Sequence, residues 1–304
     1  MNLRQLQQFV TLAETGNFHR AAEKLFMAQP PLSVSIRKLE GELACELFER
    51  TTTGVLLTAA GHAMLADARL ALAHAQRCRQ AVQDAREGEG GVVRLGFVGT
   101  ATFALLPALI PSLRQHLPKI RLELTEATTS EILQGLLERR FDAGLLRYPL
   151  PDPAGFDVLA LERDAFVLAV STHSALAAHD AIALSAAAHE PFIMYPHGPV
   201  PGLAALAQMR CQFSGFVPRV TQEAMQVQTI LSLVAAGLGV ALVAGVAQRV
   251  LPAGVKCLRL TDNPAGFHLG IALARLAGEP NRVVQRFAEH ALHCASAAHA
   301  QGGS

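Results

Sequence analysis

This chain has no one-sided charge. Its 304 residues carry 26 Lys and Arg against 25 Asp and Glu, a formal net charge of +1. A globally basic coat is therefore excluded, and any nucleic-acid binding must come from a local patch. Cysteine is sparse too. Cys45, Cys78, Cys211, Cys257 and Cys294 are odd in number, far apart and never in a CxxC spacing. That is the pattern of a reduced, cytoplasmic protein with no metal cluster, so neither a metal nor a cofactor is expected. Long apolar runs are also missing. The longest, Ile230 to Val246, includes Ser232 and three glycines and reads as a buried helix plus a strand, with no membrane role. The opening MNLRQLQQFV is amphipathic and lacks the apolar centre of a signal peptide. HExxH, GxSxG and Walker patterns are absent, and the histidines are scattered. Ser171 and His173 are close in sequence but lie in a loop after a strand, without elbow glycines. An enzyme is not expected.

What is present falls into three segments, with enough hydrophobic content (51%) for two domains. Residues 1–58 read as short helices followed by a hairpin, with Leu47 to Arg50 and Val55 to Leu57 as strands and Gly54 in the turn. Residues 59–90 read as a linker helix and hinge. Met64, Ala68, Ala71, Ala75, Cys78, Val82 and Ala85 step by four and three, a heptad seam that calls for a partner helix. Gly88, Gly90 and Gly91 end it. Residues 91–295 alternate strands and helices in two βαβαβ sets, the mark of parallel sheets in two α/β lobes. Lobe I covers 91–161 and 268–295, and lobe II covers 162–267. A helix is expected from Ala181. No separate strand is assigned between Tyr148 and Ala165, or between Val243 and His268. The tail 296–304 is small and polar and reads as disordered.

The segment AAEKLFMAQPPLSVSIRKLE raises a specific question. On a helix, Leu32, Ile36, Leu39 and Leu43 form a buried stripe, which leaves Val34 opposite it. A helix starts at Pro30–Pro31, where the missing N–H groups do no harm. A second short helix, Phe18 to Phe26, precedes it across a tight turn, which together make a helix-turn-helix. An exposed Val34 suits a thymine methyl group in the major groove; the competing reading is one stray surface apolar residue.

The N-terminal sixty residues resemble the LysR-type transcriptional regulators. QFV, F-x-x-AAEKL, AQPPLS, I-x-x-LE, LFER and LT-x-AG all stand in order. RLGFVGTATFALLP and LVAAGLGVAL resemble the family's effector domain, so the likeness covers essentially the whole chain. The resemblance implies a winged helix-turn-helix, a dimerising linker helix and a two-lobed Rossmann-like domain similar to periplasmic binding proteins. The partners it implies are double-stranded operator DNA, a small organic acid effector, further copies of the chain as a dimer or tetramer, and RNA polymerase. It points toward members that sense aromatic-pathway or other small organic acids.

DNA-site residues follow. Gln29, Pro30, Pro31, Ser33 and Val34 approach bases or phosphates, Arg37 and Lys38 the backbone, and Arg50, Thr52 and Thr53 act from the wing. Relatives often carry Arg or Gln at the position of Val34, and a further basic residue where Thr52 and Thr53 stand. Residues 1–58 hold six basic and six acidic side chains, a net of zero. One copy neutralises few phosphates, so tight binding requires linked copies.

The effector is expected at strand ends and helix N-termini. Thr100, Ala101 and Thr102 follow the first strand, Thr128 the second and Arg147 the third; Pro201, Gly202 and Gln226 form the opposite wall. Thr128 and Glu131 also fit a capping box, and Arg147 also fits a surface ion pair. Two other readings are weighed: a thiol redox sensor, which needs two cysteines brought together although Cys211 has no neighbour closer in sequence than Cys257, and a stand-alone solute-binding protein.

Overall fold

A capping box opens the first helix, α1 (Leu3–Thr15). Asn2 accepts from the Gln5 N–H, and the Gln5 side chain accepts from the Asn2 N–H. The structure, a computed structural model, describes every residue except 52–53, 88–89, 151, 199–200, 265–266 and 302–304. One unit holds Met1–Gly88 and Glu138–Arg140, and a second holds Glu89–Leu137 and Phe141–Ser304.

In the first unit, α1 is followed by α2 (Phe18–Lys24), α3 (Gln29–Leu43), the antiparallel hairpin β1 (Phe48–Thr51) and β2 (Gly54–Leu57), and α4 (Ala59–Glu87). Leu32, Ile36 and Leu39 are buried on one face of α3 and meet Phe9 and Leu12 of α1. Leu43 departs from the expected stripe. It is 41% exposed, because α3 ends there and Ala44 turns left-handed. The wing is tied down from two sides. Glu40 accepts from the Leu47 and Phe48 N–H groups, and Val55 N–H donates to the Gly16 carbonyl. A Cβ at Gly54 would stand 2.3 Å from that carbonyl oxygen, so only glycine allows the approach.

The α4 seam is divided. Met64, Ala68 and Ala71 pack into the unit's own core, while Cys78 and the 59% exposed Val82 are uncovered. The first half of the seam thus stabilises the first unit itself.

The second unit runs β3 (Gly91–Phe97), α5 (Leu105–His116), β4 (Ile120–Glu126), α6 (Thr129–Leu137), β5 (Ala143–Tyr148) and β6 (Phe156–Asp164). It continues with β7 (Phe166–Ser171), β8 (Ala181–Ile182), β9 (Pro191–Met194), α7 (Pro201–Phe213), β10 (Arg219–Glu223) and α8 (Val227–Ala235). β11 (Ala241–Ala244), β12 (Val255–Leu260), β13 (Leu269–Leu276) and α9 (Arg282–Gln301) complete it. The first lobe's sheet has the order β4-β3-β5-β13-β6, and the second's β11-β7-β12-β8. β9 and β10 pair in parallel, and a bridge from Phe192 to Val240 joins them to the second sheet. Each lobe has its own apolar core.

Two α/β lobes are present as expected, but the sheets are mixed. β13 runs antiparallel to β5 and β6, and β7 antiparallel to β11 and β12. The unassigned stretches hold β6 and β12. The lobe boundary at 161/162 falls inside β6, and the chain crosses at Ala165. There Asp164 accepts from the Ala165 N–H at 2.7 Å and, across the lobes, from the Val246 N–H at 2.8 Å. The helix expected from Ala181 does not form. Ala181 and Ile182 pair with β12, and Asp262 takes the Leu184 N–H, so tertiary bonds override alanine's helix propensity. The expected disordered tail is helical through Gln301, an alanine-rich run that meets no breaker before Gly302.

Arg210 of α7 is fully buried. It reaches Asp262 at 2.7 Å, Ser214 at 2.6 Å and Asn263 at 3.2 Å. Burial alone would raise the Asp262 carboxyl. Hydrogen bonds from Leu184, Ser214 and Arg210, together with the Arg210 charge, hold it below its ordinary value. Its stabilising contribution is therefore complete above the unfolded carboxylate range and is lost as pH falls through the lowered folded value. Asp262→Ala is expected to cost roughly 3 kcal/mol in urea unfolding, near the low end for a broken buried pair because Asp262 is partly exposed. The double variant Arg210→Met/Asp262→Leu should recover most of that loss.

Candidate functional site

In the first unit, α3 presents its non-core face to solvent. Gln29, Pro30, Pro31, Val34, Arg37 and Lys38 are exposed, Val34 at 57%. Ser33 is a correction: it is buried. It stands beside the Leu32 seam, and Arg37 folds back over this turn, its Nε donating to the Ser33 carbonyl. Ala28 provides no side-chain cap, and Pro30 and Pro31 lack N–H groups, so few free amides remain there for a phosphate. Arg50 lies in β1 paired with Val55; its side chain, and Thr52 and Thr53 entirely, lie outside the described residues. Sequence reasoning missed Phe26, which is 97% exposed in the turn before α3, in left-handed backbone at φ 52°.

In the second unit, strand ends converge between the lobes. After β3 the chain enters a 3-10 turn, Gly99–Thr102. Ala101 is fully buried in the first lobe's core, so the turn points it away from the cleft and it is no site residue. Thr100 is also buried, and its hydroxyl has no hydrogen-bond partner among the described residues. Thr102 donates to the Gly99 carbonyl at 2.6 Å. Thr128 forms the anticipated capping box: its Oγ1 accepts from the Glu131 N–H, and the Glu131 carboxylate accepts from the Thr128 N–H. Thr128 is therefore occupied as a helix cap, although it also lines the cleft.

Arg147 ends β5. Its N–H donates to Thr129 Oγ1, and its guanidinium has no ion pair among the described residues. Burial lowers its pKa, opposed by the nearby Tyr195 and Asp164. Tyr195, just past β9, is buried with its hydroxyl unpaired among the described residues and is pushed up to about 12 by burial. No motif or spacing pointed to it.

Two polar cavities, about 420 and 290 Å³, adjoin here and share Gly99, Glu126 and Gln226. Gln226 precedes α8 and offers no side-chain cap. Arg147 forms part of the smaller one and also of an apolar cavity of about 260 Å³ bounded by Leu133, Leu203, Leu206 and Leu269. Gly202 borders the apolar cavity; the Pro201 side chain lies outside the described residues. One cation thus separates a polar chamber from an apolar one.

The family model for the LysR substrate binding domain matches residues 86–295, and that for the bacterial regulatory helix-turn-helix protein of the lysR family matches residues 3–62. The chain belongs to the LysR family of transcriptional regulators. It is 34% identical to the HTH-type transcriptional regulator AlsR of Bacillus subtilis (strain 168) over 250 residues, 82% of each chain. It is 33% identical to the HTH-type transcriptional regulator BenM of Acinetobacter baylyi (strain ATCC 33305 / BD413 / ADP1) over 277 residues, 91% of each. Among solved structures, the LysR family regulator CbnR superposes with a TM-score of 0.78 at 26% identity, covering 97% of this chain and 99% of that one. Full-length CbnR complexed with its target DNA gives the same TM-score and identity, covering 97% and 100%. These relatives are regulators, and the chain is a DNA-binding regulator with an effector-binding domain. Among the described residues, no helix is long and apolar enough to cross a membrane.

Thr100→Val removes an unpaired buried hydroxyl at nearly constant volume. In ligand-free protein it should leave the melting temperature unchanged or raise it, by up to about 1 kcal/mol of stability, measured by calorimetry. A drop in melting temperature would mean that the hydroxyl has a structural partner.

Proposed function

We infer that this regulator binds operator DNA through α3 and the wing, as linked copies, and responds to a small organic anion held between its lobes. It acts in the cytoplasm, and contact with RNA polymerase completes the reading. The observation that carries the effector half is the half-buried Arg147 guanidinium, which has no ion pair among the described residues and stands between the two cavities it helps to line. A carboxylate pairs with it, and the apolar body of the acid fills the space beside Leu203, Leu206 and Leu269. Glu126 on the polar side disfavours a second negative charge and favours a hydroxyl or amine donor. A monocarboxylate with an aromatic or branched apolar body therefore fits better than a dicarboxylate.

On the DNA side, Val34 contacts a thymine methyl group, Gln29 a base edge, and Arg37 and Lys38 phosphates. Phe26 extends this apolar surface. The second half of the α4 seam, around Cys78 and Val82, pairs copies as a dimer or tetramer, and pairing compensates for the neutral charge of residues 1–58.

The redox alternative is disfavoured. Burial pushes the Cys211 thiol up to about 12 and the Cys257 thiol up to about 11, so both stay protonated near neutrality.

Thermal-shift screening of aryl and branched aliphatic monocarboxylates should find acids that raise the melting temperature of the native chain. Arg147→Ala should abolish that shift while leaving affinity for DNA intact. An undiminished shift in the variant removes the carboxylate clamp. Lys38→Ala should lower the salt slope of binding, log K against log[salt], by about 1 on duplexes selected from a random pool. An unchanged slope places Lys38 away from phosphate.

A further inference from the structure

Away from the effector cleft, α5 and α9 bring together a thiol, a hydroxyl and two imidazoles. Ser112 and His116 stand one turn apart on α5, and His290 and Cys294 one turn apart on α9. Cys294 Sγ lies 3.2 Å from Ser112 Oγ and 3.4 Å from His290 Nε2. Ser112 Oγ lies 3.1 Å from the same Nε2. Burial, with His116 and His293 nearby, holds His290 below its ordinary value, so the ring is neutral near pH 7. In its Nδ1–H tautomer, Nε2 accepts from the Ser112 hydroxyl, which in turn accepts from the thiol. This is a relay from S–H through O–H to imidazole. His116 is pinned by its own bond to the Ser112 carbonyl at 2.9 Å.

The thiol also borders a cavity of about 520 Å³. Leu105, Leu109 and Leu161 of the first lobe and Val246 of the second give it apolar walls, and its charged lining is balanced, Arg163 and Arg249 against Glu162 and Asp164. A half-buried nucleophile with a built-in proton acceptor therefore faces a largely apolar chamber of ligand size.

No other cysteine combines these features. Cys211 and Cys257 are raised by burial. Cys45 and Cys78 are exposed, but neither has a histidine within hydrogen-bond reach among the described residues.

We propose that Cys294 is a covalent sensing site for a soft carbon electrophile, an enone or quinone, seated in this cavity. Sγ adds to the electrophile's β-carbon as the thiol proton passes through Ser112 to His290. The C=C π pair moves onto the carbonyl oxygen, which gives the enolate. The proton then returns from His290 to the α-carbon. One S–C and one C–H bond form, one S–H and one C=C π bond are lost, and no oxidant or reductant is needed. Both lobes supply wall residues, so the adduct braces one against the other.

The test is timed alkylation of the full-length protein with N-ethylmaleimide, followed by peptide mass spectrometry at each cysteine. Cys294 is expected to react about 10-fold faster than exposed Cys45, and His290→Gln and Ser112→Ala should each remove that advantage without changing the rate at Cys45. Cys211, fully buried, reports folding because it stays unlabelled in an intact chain. A Cys294 rate no higher than that of Cys45, or one indifferent to both substitutions, overturns the proposal. If those variants unfold, the decision passes to Ala108→Phe, which narrows the cavity at an exposed wall. It should slow N-phenylmaleimide at Cys294 several-fold more than iodoacetamide, and equal rates for the two reagents, relative to wild type, overturn the role of the cavity.

Discussion

Asp164 holds the point where the chain leaves one sheet and joins the other. One carboxylate oxygen accepts from the next residue's amide, and the other accepts from Val246 in the opposite lobe. A Cβ on Gly245 would meet the first oxygen at 2.6 Å, so the turn passes the carboxylate with almost no clearance. Two features depend on this placement. The charge of Asp164 supports the guanidinium of Arg147, which burial otherwise disfavours. The same bond sets the spacing of β6 and the turn after β11, and with it the chamber that Cys294 borders. A hydrogen-bonded carboxylate at a crossover is well suited to this role. Its two oxygens fix two backbones at once.

The DNA-binding unit rests on a different balance. Its core is small and is completed by α4, so the helix that links the domains also stabilises the one that reads DNA. Residues 1–58 are neutral overall. With no excess of positive charge, one copy of this segment neutralises few phosphates.

Much of this was legible in the sequence, for identifiable reasons. The stripe Leu32–Ile36–Leu39 and the proline start fixed α3, and the apolar runs of β3, β5, β7 and β13 marked largely buried strands. β6 was hidden because its exposure alternates poorly and charges interrupt it. β8 was hidden because alanine favours helix while the neighbouring strand favours pairing. Thr100, Arg147 and Gln226 could be placed near one another because strand ends and helix starts gather at one edge of a lobe. Ser33 and Ala101 could not be judged the same way. Whether a small side chain is covered depends on its neighbours' conformations, here the fold-back of Arg37 and the inward 3-10 turn. Tyr195 and the group around Cys294 come from segments remote in sequence, and periodicity carries no information about them.

The two prolines that open α3 bear on more than where the helix begins. Each fixes one backbone torsion, so the first turn has little conformational freedom left to lose when a partner immobilises it. A stiff leading edge keeps docking from being offset by ordering entropy. It also leaves little slack for adapting to an imperfect surface, so this helix selects by shape match rather than by accommodation.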